Sequence, residues 1–284
     1  MQTLRHTVDD GIELVADVGG EPGAPCVVLM HGGGQTRFSW QGAMQQLINT
    51  GYRVINFDAR GHGDSAWAGV GGYSLGRNAR DLAHLISEVP GAVALVGASL
   101  GGATALRAMA DGMRPAAVVL VDIVPRPDPQ GVQRIRDFML AKPEGFASIE
   151  DAADAIAAYN PHRPRTTDRT GLMRNLRVRA DGRLRWHWDP AFLGREVPVE
   201  LAELHDTIEG ARLGGDVPVL LIRGMSSDVV SQRGIDDLCD ALPRLEVFNV
   251  PNAGHMVAGD RNDVFNQGML AFLTRHFPAR ASSR

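Results

Sequence analysis

A serine set between glycines, Gly97-Ala98-Ser99-Leu100-Gly101, follows the apolar run 93–96 and opens a helix-like stretch. A serine hydroxyl is a weak nucleophile at neutral pH. It needs a general base to take its proton and hydrogen-bond donors to receive the oxyanion it creates on a carbonyl carbon. The spacing suits that chemistry. The hydroxyl must project from a tight strand-to-helix turn, where side chains in place of Gly97 and Gly101 would meet closely approaching backbone. The start of the helix adds a field that favours developing negative charge. A second glycine-rich turn, His31-Gly32-Gly33-Gly34, directly follows the apolar run 27–30. Three polar residues stand at or beyond the ends of other apolar runs: Asp122 after 116–121, Asp228 after 217–222 and His255 after 245–250.

Together the glycine-flanked serine and the His-Gly-Gly-Gly turn resemble the α/β-hydrolase superfamily, and within it the serine esterase branch. Meta-cleavage-product hydrolases and cofactor-free haloperoxidase-like esterases are similar. The resemblance implies a chain order of nucleophile, acid, base, which Ser99, Asp228 and His255 satisfy. It assigns the oxyanion hole to the N–H groups of Gly33 and Leu100. Asp122 is the alternative acid, because some members take it from that strand end, but Asp228 is preferred and Asp122 is given a loop-closing role. The stretch Asp58-Ala59-Arg60-Gly61-His62-Gly63-Asp64-Ser65 also resembles a recurrent loop of the superfamily. Its polar side chains, like His31, are expected to brace turns rather than react. Relatives that open epoxides or displace halide carry aspartate at the nucleophile position, so Ser99 argues against both reactions.

These residues need a scaffold. Short apolar runs rich in Val, Leu and Ile alternate with amphipathic stretches at 40–49, 75–87, 100–110, 235–242 and 264–276. Continuous apolar runs fit strands covered on both faces. The alternation predicts a mostly parallel eight-stranded sheet flanked by helices, opened by an antiparallel hairpin over residues 4–18. From 125 to 212 no buried strand is apparent, and this segment reads as a helical cap, with 1–124 and 213–284 forming the α/β-hydrolase core. The cap holds a basic run (Arg163, Arg165, Arg169, Arg174, Arg177, Arg179, Arg183, Arg185) and the aromatic cluster Trp186-His187-Trp188 with Phe192. Gly34, Trp186, Trp188 and Met256 are candidate substrate contacts. Arg174 and Arg177 are candidates for recognising an anionic group, although a basic run is more often a solvated face or a subunit contact.

Composition narrows the classes. The chain has 284 residues, a formal net charge of −4 and two cysteines. No strongly basic field suggests nucleic acid. Cys26 and Cys239 make no disulfide framework and are expected as buried free thiols. The first 15 residues carry Asp9, Asp10 and Glu13 and lack the apolar run of a signal peptide or membrane span, so a cytoplasmic location is expected. The partner expected is a small-molecule substrate, without a membrane, and the chain as monomer or homodimer. No metal or organic cofactor is implied. The reaction expected is cleavage of a carboxylic ester of small or medium size through an acyl-enzyme. The alternatives are carbon–carbon bond hydrolysis of the meta-cleavage-product type, perhydrolase or haloperoxidase-like chemistry, and, from another class, a ligand receptor with little turnover.

Overall fold

A computed structural model describes residues 1–161, 165–208, 215–257 and 262–279. Arg163 and the expected boundary at 212–213 lie outside the described residues. The sheet has eight strands: β1 (Gln2–Thr7), β2 (Glu13–Gly19), β3 (Cys26–Met30), β4 (Arg53–Phe57), β5 (Val93–Ala98), β6 (Ala117–Val121) and, after a long insertion, two more. Those last two, Val219–Gly224 and Leu245–Val250, pair side by side at one edge, and the order across the sheet is β1-β2-β4-β3-β5-β6 followed by this pair. Pairings β1–β2 and β2–β4 are antiparallel, and all the others are parallel.

Strands β3 and β6 are buried along their whole length, and the alternation of the central strands feeds two hydrophobic layers. In β3, Val28 and Met30 face one layer while Val27 and Leu29 face the other. Helices α1 (Gln41–Asn49) and the C-terminal Asn262–His276 cover the second layer with Met44, Leu47, Phe265 and Phe272. Helices α2 (Leu75–Leu85), α3 (Leu100–Ala110) and Gln232–Ala241 cover the first with Leu82, Leu106 and Leu238. Burial on both faces is what the uninterrupted apolar runs required. Cys26 is buried in β3, but Cys239 is exposed, contrary to expectation. On its helix the inward stripe is Gly234, Ile235, Leu238 and Ala241, and Cys239 falls just past it.

Between β6 and Val219–Gly224 the chain leaves the sheet and builds a separate apolar cluster around Phe146, Leu176, Trp186 and Trp188. It contains α4 (Pro129–Leu140), α5 (Ile149–Tyr159), α6 (Arg169–Met173) and α7 (Val197–His205). The insertion is not purely helical, which corrects the expectation. Strands β7 (Leu176–Val178) and β8 (Leu184–Trp186) form an antiparallel hairpin, with Leu176 opposite Trp186. Among the described residues the order then runs β9 (Val219–Gly224), α8 (Gln232–Ala241), β10 (Leu245–Val250) and α9 (Asn262–His276).

Candidate active site

Strand β5 ends at Ala98 and α3 begins at Leu100, so Ser99 alone makes the turn between them. Its backbone lies at φ 44°, ψ −109°, a conformation that side-chain-bearing residues rarely hold without support. Support comes from both directions. The Ser99 N–H donates to the Val121 carbonyl at 3.0 Å, and its carbonyl accepts from the Ala103 N–H at 2.9 Å. A Cβ on Gly97 would sit 2.3 Å from the Gly101 carbonyl carbon, and one on Gly101 would sit 2.3 Å from the Met30 oxygen. Both glycines are therefore needed for β5, α3 and β3 to close around the serine.

In the turn after β3, the residues on either side of Gly33 are tied down. The Gly32 N–H donates to Gln35 Oε1 at 3.0 Å, and the Gly34 N–H donates to His62 Nε2 at 3.1 Å. The Gly33 N–H has no acceptor among the described residues. Leu100 is the first residue of α3, where a backbone N–H has no acceptor one turn back. Gly33, Leu100, Ser99 and His255 all border one cavity of about 470 Å³.

His255 follows β10, and its Nδ1 lies 2.8 Å from Asp122 Oδ2. The carboxylate on the imidazole is thus Asp122, at the end of β6, and not Asp228. Asp122 is fully buried at φ 49° and receives two further donors, the Gly224 N–H at 2.9 Å and the Ser227 hydroxyl. A buried carboxylate needs such donors to replace the hydration it has lost. Asp228 points elsewhere: it is half-buried and pairs with Arg134 Nη2 of α4 at 2.7 Å. Its neighbour Ser227 carries the inward contact, and nothing in residue order distinguished the two. The one available signal was Asp122 itself, an acid directly ending a wholly apolar strand.

The bracing residues are buried histidines and ion pairs. His31 Nδ1–H donates to the Gly32 carbonyl at 2.8 Å while Nε2 accepts from the Ala59 N–H at 2.9 Å, and burial holds the ring neutral, down to about 4. His62 Nδ1–H donates to the Arg60 carbonyl at 3.0 Å, and burial with His31 beside it lowers its pKa to about 3. Asp58 accepts from the Arg37 and Asp64 N–H groups and pairs with the Arg37 guanidinium, while Arg60 is held between Asp81 and Asp10. These groups in the 58–65 loop are occupied in holding backbone and buried side-chain ion pairs.

The cavity walls are mostly apolar, and about half of them come from the insertion. Trp186 and Trp188 stack with centroids 5.1 Å apart, and Phe138 stacks on Tyr159 at 4.3 Å. Gly34, Trp186, Trp188 and Met256 all border the cavity. The two tryptophans also pack the insertion, so wall and core roles coincide. Arg174 and Arg177 are not on the cavity wall. Arg174 lies over Phe38 and donates to Gln41 at 3.1 Å, and Arg177 donates to the Gly63 carbonyl at 2.7 Å and to Asp64 at 2.8 Å. The arginines that do border the cavity are Arg136 and Arg195, each facing a glutamate, Glu200 and Glu203. Among the described residues no cluster of His, Cys, Asp and Glu could hold a metal ion, and no helix is long and apolar enough to cross a membrane.

Residues 27–267 match the alpha/beta hydrolase family. The chain belongs to that family. It is 32% identical over 248 residues to esterase Rv0045c of Mycobacterium tuberculosis, covering 84% of this chain and 79% of that one. A crystal structure of the same esterase superposes with TM-score 0.74 at 29% identity, covering 96% of this chain and 90% of the other. An sn-1-specific diacylglycerol lipase of Mus musculus is 29% identical over 265 residues, 89% of this chain and 82% of its own. The crystal structure of E-2-(acetamidomethylene)succinate hydrolase superposes with TM-score 0.82 at 26% identity, covering 96% of this hydrolase and 99% of that chain.

Proposed function

We propose that this hydrolase cleaves a carboxylic ester of small or medium size through an acyl-enzyme on Ser99. The observation that carries the reading is convergence: a strained serine turn, a histidine carrying a buried carboxylate and two backbone donors all face one cavity. In the first step His255 Nε2 takes the Ser99 hydroxyl proton as Oγ bonds to the ester carbonyl carbon. The oxyanion is received by the Gly33 and Leu100 N–H groups, and removal of one such donor typically costs about 2.7–4 kcal/mol in barrier. As the tetrahedral intermediate collapses, the carbon–oxygen bond to the alcohol breaks and the imidazolium returns the proton to the leaving oxygen. Water then attacks the acyl-enzyme by the same route and releases the acid.

Asp122 takes the role that residue order had given to Asp228. It fixes the imidazole with Nδ1 protonated and stabilises the imidazolium. The esterase and lipase names among the relatives support ester chemistry, and the apolar cavity supports an uncharged acyl or alcohol portion. The test is turnover of a series of p-nitrophenyl esters of increasing acyl length, with a vinylogous 1,5-diketone included. The reading expects steady ester turnover with a nitrophenol burst that Ser99→Ala abolishes. Turnover of the diketone alone, or unchanged ester turnover in Ser99→Ala, would overturn it.

A further inference from the structure

The insertion reaches beyond the cavity wall into the backbone that carries the oxyanion donor. His187, one residue beyond β8, is buried between two core loops. Its Nδ1 accepts from the Gly63 N–H at 2.7 Å, which puts the ring proton on Nε2, and Nε2 lies 3.2 Å from the Gly34 carbonyl. The Gly34 N–H is already held by His62, so both ends of the Gly34 residue are gripped by imidazoles, one from the core and one from the insertion. On the other side of Gly33, His31 grips the Gly32 carbonyl. The three rings form one contact chain, with centroids 5.2 Å apart for His31–His62 and 5.8 Å for His62–His187. Burial and the neighbouring imidazoles push His187 well below the ordinary histidine range, consistent with a neutral ring that accepts on one nitrogen and donates on the other.

We infer that His187 is a positioning residue for ester cleavage: its Nε2–H fixes the carbonyl of Gly34, the residue after Gly33, so the oxyanion hole has its working geometry only with the insertion docked. The inference rests on the reading of Gly33 as an oxyanion donor. It differs from a simple docking role because docking has other anchors. The Asp189 N–H donates to the Gly61 carbonyl at 2.8 Å, the Asp189 carboxylate accepts from the Gly69 N–H at 3.0 Å and from the Tyr73 hydroxyl, and Trp67 Nε1–H donates to the His187 carbonyl at 3.2 Å. These contacts do not use the His187 ring. Phe192, from the same segment, packs against Gly33 and edge-on to His62, which gives the loop an apolar backing as well.

Two substitutions separate the two ring nitrogens while losing similar ring packing. Glutamine can present an N–H at the ε position, toward the Gly34 carbonyl, and asparagine can present an acceptor at the δ position, toward the Gly63 N–H. On a p-nitrophenyl ester, His187→Asn is expected to lower kcat about 10- to 100-fold with KM within about twofold, the size of loss that follows misplacement of a catalytic group by up to about 1 Å. His187→Gln is expected to recover most of that loss. Thermal midpoints are recorded for both, and each protein is labelled at Ser99 with a fluorophosphonate to count competent serines.

The reverse order, with His187→Asn active and His187→Gln impaired, would mean that the ring serves docking through Gly63, and the inference falls. Equal activity in both variants and wild type overturns it as well. If the wild-type protein neither turns over esters nor labels at Ser99, the esterase reading fails and takes the inference with it. Labelling that is normal alongside the wrong order of variants removes the inference alone.

Discussion

Two turns at the same end of the sheet, one after β6 and one after β9, each place an aspartate where a hydrolase could use it, and they treat it in opposite ways. Asp122 is sealed from water and receives the Gly224 N–H, the Ser227 hydroxyl and His255 Nδ1. Asp228 is half-exposed and spends its charge on Arg134, which also lies over the Tyr159 ring. Enclosure and converging donors, and not position in residue order, select the partner of the imidazole. A carboxylate without water around it keeps its full field on the histidine, while one beside a solvated guanidinium is partly neutralised and screened. The turn after β9 still serves the histidine, through Ser227 and the Gly224 N–H, but it does so by holding the acid of the neighbouring strand.

Breaking this comparison is simplest at its two carboxylates, and the largest effect is expected at the buried one. Asp122→Asn should lower kcat/KM about 10⁴-fold, since an amide there favours the wrong imidazole tautomer. Steady-state kinetics on a p-nitrophenyl ester at neutral pH checks it.

Next in size is the pH dependence of stability, which probes the bracing loops rather than the acid. His31 and His62 sit at about 4 and about 3 in the folded protein, against 6.5 for an exposed histidine. Below pH 6.5 the unfolded chain therefore binds protons that the folded chain refuses. Their contribution is fully present above that value and is lost as pH falls from there toward 4 and then 3, by up to about 1.4 kcal/mol per pH unit for each ring. Urea unfolding between pH 7.5 and 5 measures the slope, and His62→Gln should flatten it.

Ser227→Ala removes one of the donors that enclose Asp122. Removing one hydroxyl donor from a buried carboxylate costs on the order of 1–2 kcal/mol, so kcat should fall about tenfold while the exposed neighbour Ser226→Ala stays within about twofold. The smallest change is expected at the other turn. Asp228→Asn and Arg134→Ala break only a partly exposed pair, and each should leave kcat/KM within about threefold and cost no more than about 1 kcal/mol of stability by urea unfolding.

Most of the sheet was legible because its strands are apolar on both faces, which leaves uninterrupted runs such as 27–30 and 117–121. The serine turn was legible for a steric reason: its glycines stand where a Cβ would strike backbone at 2.3 Å. The β7–β8 hairpin was not legible. Each strand has three residues with an arginine in the middle, Arg177 and Arg185, so neither offers an apolar run or a long alternation. Asp122 was misjudged because both aspartates satisfy the same linear order, and the donors that distinguish them come from residues about a hundred positions away. His187 was hidden for a related reason. Between two tryptophans it reads as part of an aromatic cluster, and only folding brings it to Gly34 and Gly63.

The most direct measurement is rapid-quench mass spectrometry of the protein mixed with excess p-nitrophenyl butyrate in the first turnover. One butyryl group per chain is expected on the peptide that contains residue 99, forming with the nitrophenol burst and vanishing when substrate is consumed. Ester turnover with no adduct on that peptide, or an adduct on any other residue that forms and decays at the turnover rate, would contradict it.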